Sequence, residues 1–74
     1  MGRLPALPPR EVVKAFGRRG YEFSRQTGSH YLLFHPERRQ ALSIPLHNPV
    51  KRGTLRALIR QSGLTVEEFL ESLR

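Results

Sequence analysis

The feature that most constrains this fold is a short run, His30–His35, that is largely apolar at odd and even positions alike. Such a run predicts a β-strand that is covered on both faces, unlike a strand that alternates apolar and polar residues. Its two faces are made of alternate residues: His30, Leu32 and Phe34 on one, and Tyr31, Leu33 and His35 on the other. In a single small domain, helices can cover only one face of a sheet, so we expect the other face to bind something.

Two further segments have strand-like patterns. Tyr21–Gln26 alternates aromatic and polar residues, which predicts a half-buried strand. Thr27–Ser29 is the hairpin connection, and we expect Gly28 within it to adopt the positive φ that such a turn demands. Gln40–Leu46 predicts a third strand, and Pro45 near its end favours an edge position. The three strands therefore form an antiparallel meander.

Helical patterns flank the strands. Apolar residues recur along one stripe of Pro9–Arg19, and Gly20 suits the left-handed cap that follows. Lys51–Ser62 predicts a basic second helix ended by Gly63. Thr65–Glu68 is a capping box that starts a short last helix. This order predicts an α+β domain, α-β-β-β-α-α, with the helices packed on one face of a three-stranded antiparallel sheet.

The length and composition limit the class of protein. The 74 residues have room for one domain, which we assign to residues 9–74 behind a loose leader, residues 1–8. The sequence has no cysteine, which excludes disulfides, thiolate metal sites and a cysteine nucleophile. It also has no apolar run near the ~18 residues of a membrane span, and no recognisable signal peptide. We expect a cytoplasmic protein without a cofactor.

The charge indicates the kind of partner. The chain has 13 Lys and Arg against 6 acidic residues, a net charge of +7, and all six acids are Glu. Residues 1–64 contain 12 of the basic residues and 3 of the acidic ones. Such a field favours a nucleic acid or an acidic protein as partner. Four cations line the solvent side of the predicted second helix: Lys51, Arg52, Arg56 and Arg60.

The candidate for proton-transfer chemistry is His30, which the predicted turn delivers to the first residue of a strand. Imidazole, with an unperturbed pKa of about 6.5, can take and give a proton near neutrality. Ser29 adds a hydroxyl beside it. His35 is an odd number of residues away and points to the other face, so the pair makes a poor metal site and His35 is interpreted as structural. His47 is interpreted as a loop residue.

Two segments taken together resemble the HicA toxin family of toxin–antitoxin systems: Gly28–His30 with His35-Pro36 after it, and Lys51–Leu64. The resemblance covers about Pro8 to Phe69, although Val50–Leu55 reads Val-Lys-Arg-Gly-Thr-Leu, without the proline of the Leu-Pro-Lys-Gly-Thr-Leu that family members tend to have. It implies a fold like the double-stranded-RNA-binding domain. It further implies ribosome-independent cleavage of mRNA with His30 as the catalytic residue, and neutralisation by a HicB-type antitoxin.

We therefore predict a metal-independent mRNA endoribonuclease in which His30 is the base. The predicted RNA contacts are Gly28, Ser29, Arg25, Lys51, Arg52, Arg56 and Arg60. The apolar face of His30, Leu32 and Phe34 would be covered by the antitoxin, or by a second copy of the chain in a homodimer. One alternative is a non-catalytic RNA-binding module of the same fold. Another is an adaptor whose basic surface meets only an acidic protein.

Overall fold

The computed structural model describes residues 3–74; Met1 and Gly2, the first residues of the predicted leader, lie outside the described residues. The elements in chain order are α1 (Pro9–Gly17), β1 (Glu22–Gln26), β2 (His30–His35), β3 (Gln40–Pro45), α2 (Arg52–Ser62) and α3 (Val66–Glu71). The predicted α+β class and element order are confirmed. Helix α1 ends two residues before the predicted end, because Arg18–Gly20 form a turn with Gly20 at φ 99°.

The sheet is an antiparallel meander with β2 in the centre and β1 and β3 at the edges. Pro45 therefore lies in an edge strand, as predicted, and it pairs with His30. The register between β1 and β2 shifts after Phe23, so that Arg25 pairs with Leu32 and Ser24 is an extra residue on β1. This irregularity is a β-bulge on the outer edge of the sheet.

The helices cover one face of the sheet and leave the other open. Leu33, Leu42 and Ile44 are fully buried under the helical layer, whereas Phe34 and Ser43 on the reverse face are exposed. The open face carries Glu22, Arg25, Thr27, His30, Leu32, Phe34, Ala41, Ser43 and Pro45. The core is an apolar cluster from both layers: Leu4, Val12, Ala15, Phe16, Tyr21, Leu33, Leu42, Ile44, Val50, Leu55, Leu58, Ile59 and Phe69.

Strand β1 is not half-buried as predicted: all five of its residues are exposed, and Phe23 retains 59% of its surface. The reason is that α1 and α2 pack on β3 rather than over β1. Phe23 lies on the helix-facing side of the sheet beyond the edge of the helices, with its ring 5.4 Å from that of Tyr31. The aromatic residue that is buried in this segment is Tyr21, just before the strand.

Helices α1 and α2 begin at the same place. Leu7 and Val50 form a two-residue antiparallel bridge, with N–H to carbonyl distances of 3.3 and 2.7 Å. Pro9 starts α1 two residues after Leu7, and Arg52 starts α2 two residues after Val50. Leu4 is buried as well, so the described part of the leader is held to the domain at two points. We call this end of the molecule the bridge end.

The same two helices also end together. The carbonyl of Arg19, after α1, accepts a hydrogen bond from Nε2 of His35 at 3.2 Å, and the carbonyl of Gln61 in α2 accepts one from the Gln40 side chain. His35 and Gln40 are paired across β2 and β3. Both helices therefore run in the same direction, from the bridge end to the end where β2 turns into β3, which we call the turn end.

Helix α3 joins the far ends of α1 and α2. It follows α2 after Gly63, which caps that helix at φ 80°, and its own start is the predicted capping box of Thr65 and Glu68, with distances of 2.8 and 3.0 Å. Its other end is bound by the two residues that follow α1: Arg18 donates to the Ser72 carbonyl at 2.6 Å and Arg19 to the Ser72 hydroxyl at 2.6 Å. Phe69 is fully buried, 5.1 Å from Phe16 between ring centroids, and so closes the core.

Candidate functional site

The backbone on both sides of His30 is held by hydrogen bonds. The Thr27 N–H donates to the His30 carbonyl at 2.9 Å, which closes the turn between β1 and β2. The Leu46 N–H donates to the Ser29 carbonyl at 2.8 Å, which ties this turn to the end of β3. His30 is therefore fixed from both neighbouring strands. Sequence reasoning missed Thr27 and Leu46 as anchors, because these bonds depend on strand register.

The expectation of a positive φ at Gly28 is wrong. In the part of the chain that the structure describes, positive φ occurs at Gly20, Arg39 and Gly63. A Cβ at Gly28 would have no atom within 4 Å, so the position lies in open space. The turn closes between Thr27 and His30 without needing a left-handed residue, and Gly28 leaves the approach to Ser29 and His30 unobstructed.

The imidazole of His30 lies at the bridge end of the open sheet face and is half-buried. The Ser29 Oγ is 2.9 Å from its Nδ1. Within residues 3–74, no protein group is hydrogen-bonded to Nε2. When Nδ1 carries the proton and donates it to Ser29, Nε2 presents its lone pair, which is the form that a general base requires.

Arg25 is the cation that shares the open face with His30. It pairs with Leu32, whereas His30 lies opposite Thr27, so Arg25 and His30 are diagonal neighbours across the two strands. Diagonal neighbours on one face are about 7–8 Å apart, within reach of a long side chain. Arg25 is exposed and can meet an anion bound beside the imidazole.

Lys51, at the N-cap of α2, and the three arginines of α2 are all exposed, but they lie at different points along the molecule. Lys51 and Arg52 lie at the bridge end. The chain reaches them through a short loop from Pro45, which pairs with His30. Arg56 and Arg60 follow on the solvent side of the helical layer, each about 6 Å further along α2. The structure therefore brings Arg25 and His30 onto one face, with Ser29 bonded to His30 from the adjoining turn. Lys51 and Arg52 lie at the same end of the molecule, and Arg60 lies toward the turn end.

His35 lies on the other face and is used by the fold. It is 8% exposed, its Nδ1 accepts from the Arg38 N–H at 3.2 Å, and its Nε2 donates to the Arg19 carbonyl. The Tyr21 ring stands edge-on to it at 5.0 Å, and burial, opposed by the Arg38 charge, raises the pKa of Tyr21 above its usual value. A cavity of about 410 Å³ beside His35 lies at the turn end, away from His30. His47 is exposed in the loop before α2.

Among residues 3–74, no three His, Asp or Glu side chains are grouped so that they could hold a metal ion. Within the same residues, no helix has the length and apolarity required to cross a bilayer.

The fold and this site define a class: small, strongly basic α+β domains in which helices back a three-stranded sheet and a histidine stands at one end of the open face. Residues 9–64 match the family model for the HicA toxin of bacterial toxin–antitoxin systems. The chain belongs to the HicA toxin family, and membership implies an antitoxin partner. No curated protein matches the chain. Helix α3 lies beyond the matched residues.

Proposed function

We propose that this protein is an mRNA endoribonuclease toxin that cleaves RNA independently of the ribosome, with His30 as its single catalytic residue and a HicB-type antitoxin as its inhibitor. The observation that carries the proposal is the contact of Ser29 Oγ with Nδ1 of His30, which leaves Nε2 available on the open sheet face. Membership in the HicA toxin family supports it.

The substrate supplies the nucleophile, so the protein needs a base rather than a bound water. Nε2 of His30 takes the proton of a ribose 2′-OH, and the oxygen attacks the adjacent phosphorus. The bond from phosphorus to the 5′-oxygen then breaks, which leaves a 2′,3′-cyclic phosphate and a 5′-hydroxyl that takes up one proton. Proton transfer by a positioned group contributes about 10²–10⁴-fold to the rate.

Cationic side chains support this step. The phosphorane carries additional negative charge, and a guanidinium already in place stabilises that charge at no cost in reorganisation. Arg25, on the same face as His30, takes this role. Lys51 and Arg52 bind phosphates that flank the cleaved bond, Arg56 and Arg60 bind phosphates further along the strand, and Gly28 lets the RNA backbone approach closely.

The antitoxin covers the open face. Leu32 and Phe34 extend from His30 along β2, and Phe34 keeps 39% of its surface exposed. An apolar strip of this kind fits the centre of a protein interface, and a protein bound there excludes RNA from His30. A second copy of the chain could occupy the same strip, which makes the oligomeric state of the free toxin part of the test.

The experiment compares His30→Ala and His30→Gln with His47→Ala, a matched removal of an exposed histidine. Each purified protein is incubated with mRNA in the presence of EDTA, and the product ends are analysed. We expect the wild type and His47→Ala to give cyclic-phosphate ends, and the His30 variants to be slower by about 10²–10⁴-fold. Undiminished cleavage by both His30 variants would falsify the catalytic assignment.

The same assay separates the alternatives. Binding of RNA without cleavage by the wild-type protein supports a non-catalytic RNA-binding module. No affinity for RNA at about 0.1 M salt supports an adaptor that recognises only an acidic protein. Inhibition is tested by adding a HicB-type antitoxin. The oligomeric state is tested by measuring the molecular mass of the toxin alone.

A further inference from the structure

The helical layer carries cations on both long helices, not on α2 alone. Arg10 and Lys14 are exposed and lie four residues apart on α1, and Arg52 and Arg56 have the same spacing on α2. Residues four apart project from the same side of a helix, with about 6 Å between them along its axis. We call these four residues the helical cationic surface.

The two pairs lie on the same layer and start from the same end of the molecule. Both helices start from the Leu7–Val50 bridge and run in the same direction over β3. The opposite sides of both are buried: Val12 and Phe16 in α1, Leu55 and Ile59 in α2. The exposed sides therefore face away from the sheet on one layer, with Arg10 and Arg52 nearer the bridge end and Lys14 and Arg56 about one turn further on.

These charges are not neutralised by the protein. Among residues 3–74, the ion pair found is that of Arg19 with Glu71, which involves none of the four cations. Glu11 is the acidic residue on α1, and the first turn of α2 has none. The other acids of the helical layer belong to α3, at the turn end: Glu67, Glu68 and Glu71. Two like charges four residues apart lower the stability of a helix, and so does a cation in its first turn. A bound polyanion offsets this loss of stability.

The chemistry of the surface fits phosphates better than a protein. Large exposed apolar residues, as far as the structure describes the chain, are Phe23 and Phe34, and both belong to the sheet. The centre of a protein interface requires such residues, whereas contacts to a nucleic-acid backbone require cations and polar groups. The spacing of the charges along each helix is also comparable to that of successive phosphates in a strand.

We propose that Arg10 and Lys14 act with Arg52 and Arg56 to bind the phosphate backbone of RNA on the helical layer, opposite the open face. The proposal rests on the proposed function for the identity of the polyanion. One strand then passes from His30 around the bridge end, by way of Lys51, onto α1 and α2. This contact is independent of base sequence and remains accessible when a protein covers the open face.

The test measures binding without cleavage. The probe is a single-stranded RNA oligonucleotide with every 2′-OH methylated, which removes the nucleophile, and binding is followed by fluorescence anisotropy at several salt concentrations. Arg10→Gln/Lys14→Gln is compared with Arg39→Gln/Arg74→Gln, which removes the same charge outside this surface. We expect Arg10→Gln/Lys14→Gln to bind the probe roughly 10–30-fold more weakly than the wild type at about 0.1 M salt. The slope of log K against log salt concentration, where K is the association constant, should become shallower by about 1.4.

The outcomes are distinct. If both double variants lose the same affinity for the probe, only the net charge matters and the proposal is overturned. The proposed cleavage by His30 is not affected by this result. If the wild type cleaves mRNA and Arg10→Gln/Lys14→Gln binds the probe as tightly as the wild type does, the proposal is overturned as well. Failure of the wild type to bind the probe overturns both. Loss of affinity for the antitoxin with unchanged affinity for the probe assigns the surface to a protein partner.

Thermal unfolding of each variant checks that it folds, and Gln is itself a good helix former.

Discussion

The hydroxyl oxygen of Ser29 lies 2.9 Å from Nδ1 of His30, although the two residues are neighbours in the chain. A hydrogen bond at one ring nitrogen fixes the orientation of an imidazole, and a hydroxyl that accepts from Nδ1 leaves the lone pair on Nε2. In this protein the bond is formed within one turn, which the Thr27–His30 and Leu46–Ser29 backbone bonds hold in place. His30, the proposed catalytic residue, is therefore oriented by its own turn rather than by a distant carboxylate.

We predict that Ser29→Ala lowers kcat about 10-fold, which corresponds to about 1.4 kcal/mol of barrier, because the ring loses the partner that holds Nε2 in its basic form. Ser29→Thr keeps the hydroxyl and should restore most of the rate. Ser24→Ala removes a hydroxyl from the β-bulge and serves as the control. Rates are measured with saturating RNA; equal rates for Ser29→Ala and Ser29→Thr would contradict the orienting role.

Gly20 and Gly28 should respond differently to alanine. Gly20 has φ 99°, and an added Cβ would stand 2.6 Å from Nε2 of the buried His35, so both the backbone and the ring must shift. We expect Gly20→Ala to lower the free energy of unfolding by about 2–4 kcal/mol. Gly28→Ala meets no atom within 4 Å and should stay within about 0.5 kcal/mol of wild type. Urea titration measures both; a similar loss at Gly28 would show that the turn does need glycine.

Substitution of His35 should affect stability, whereas substitution of His30 should affect cleavage. His35→Ala removes two hydrogen bonds to the backbone of Arg19 and Arg38, with an expected loss of about 1–3 kcal/mol. In a domain of this size each kcal/mol lowers Tm by about 4–8 °C. His30→Ala removes a half-buried ring with no such role, and should change Tm by less than about 4 °C while it removes cleavage. Differential scanning calorimetry with the mRNA assay provides both values.

The capping box of α3 should make stability depend on acid pH. The hydrogen bond from the Thr65 N–H lowers the pKa of Glu68 below its usual 4.5. A depressed pKa in the folded state means that the contribution is complete above the unfolded value and is lost as pH falls through the folded value. Glu68→Gln can keep the box without the charge. The Tm advantage of wild type over Glu68→Gln should shrink as the pH falls below 4.5 and through the lower pKa of Glu68 in the folded state. A constant difference would mean that the charge is irrelevant.

Local sequence signals predicted most of the fold. The capping box at Thr65, the left-handed glycines Gly20 and Gly63, and the two-sided apolar run of β2 each specify their element without tertiary information. The bounds of β2, His30–His35, agree with the prediction. A central strand is covered by helices on one face and bordered by a strand on each edge, so its sequence is more apolar than that of an edge strand and easier to recognise. The position of His30 at the end of a hairpin followed from the same signals.

What the sequence did not reveal depends on how layers are placed. The alternation of Tyr21 and Phe23 has the period of a half-buried strand, but only the position of the helices over β3 decides that Phe23 is exposed. Likewise, helical periodicity assigns Arg18 and Arg19 to the solvent side, yet both bind the end of α3. The parallel course of α1 and α2, which places Arg10 and Lys14 on the same layer as the α2 cations, follows from the Leu7–Val50 bridge, a contact between residues 43 positions apart.

The β-bulge at Ser24 bears on how the protein behaves at high concentration. Strand β1 is an outer edge with every residue exposed, the kind of surface on which chains can stack into aggregates. Because the extra residue breaks the regular alternation of backbone groups between Phe23 and Arg25, an incoming strand cannot pair along the whole edge. The bulge therefore disfavours edge-to-edge association in a protein that leaves one side of its sheet uncovered.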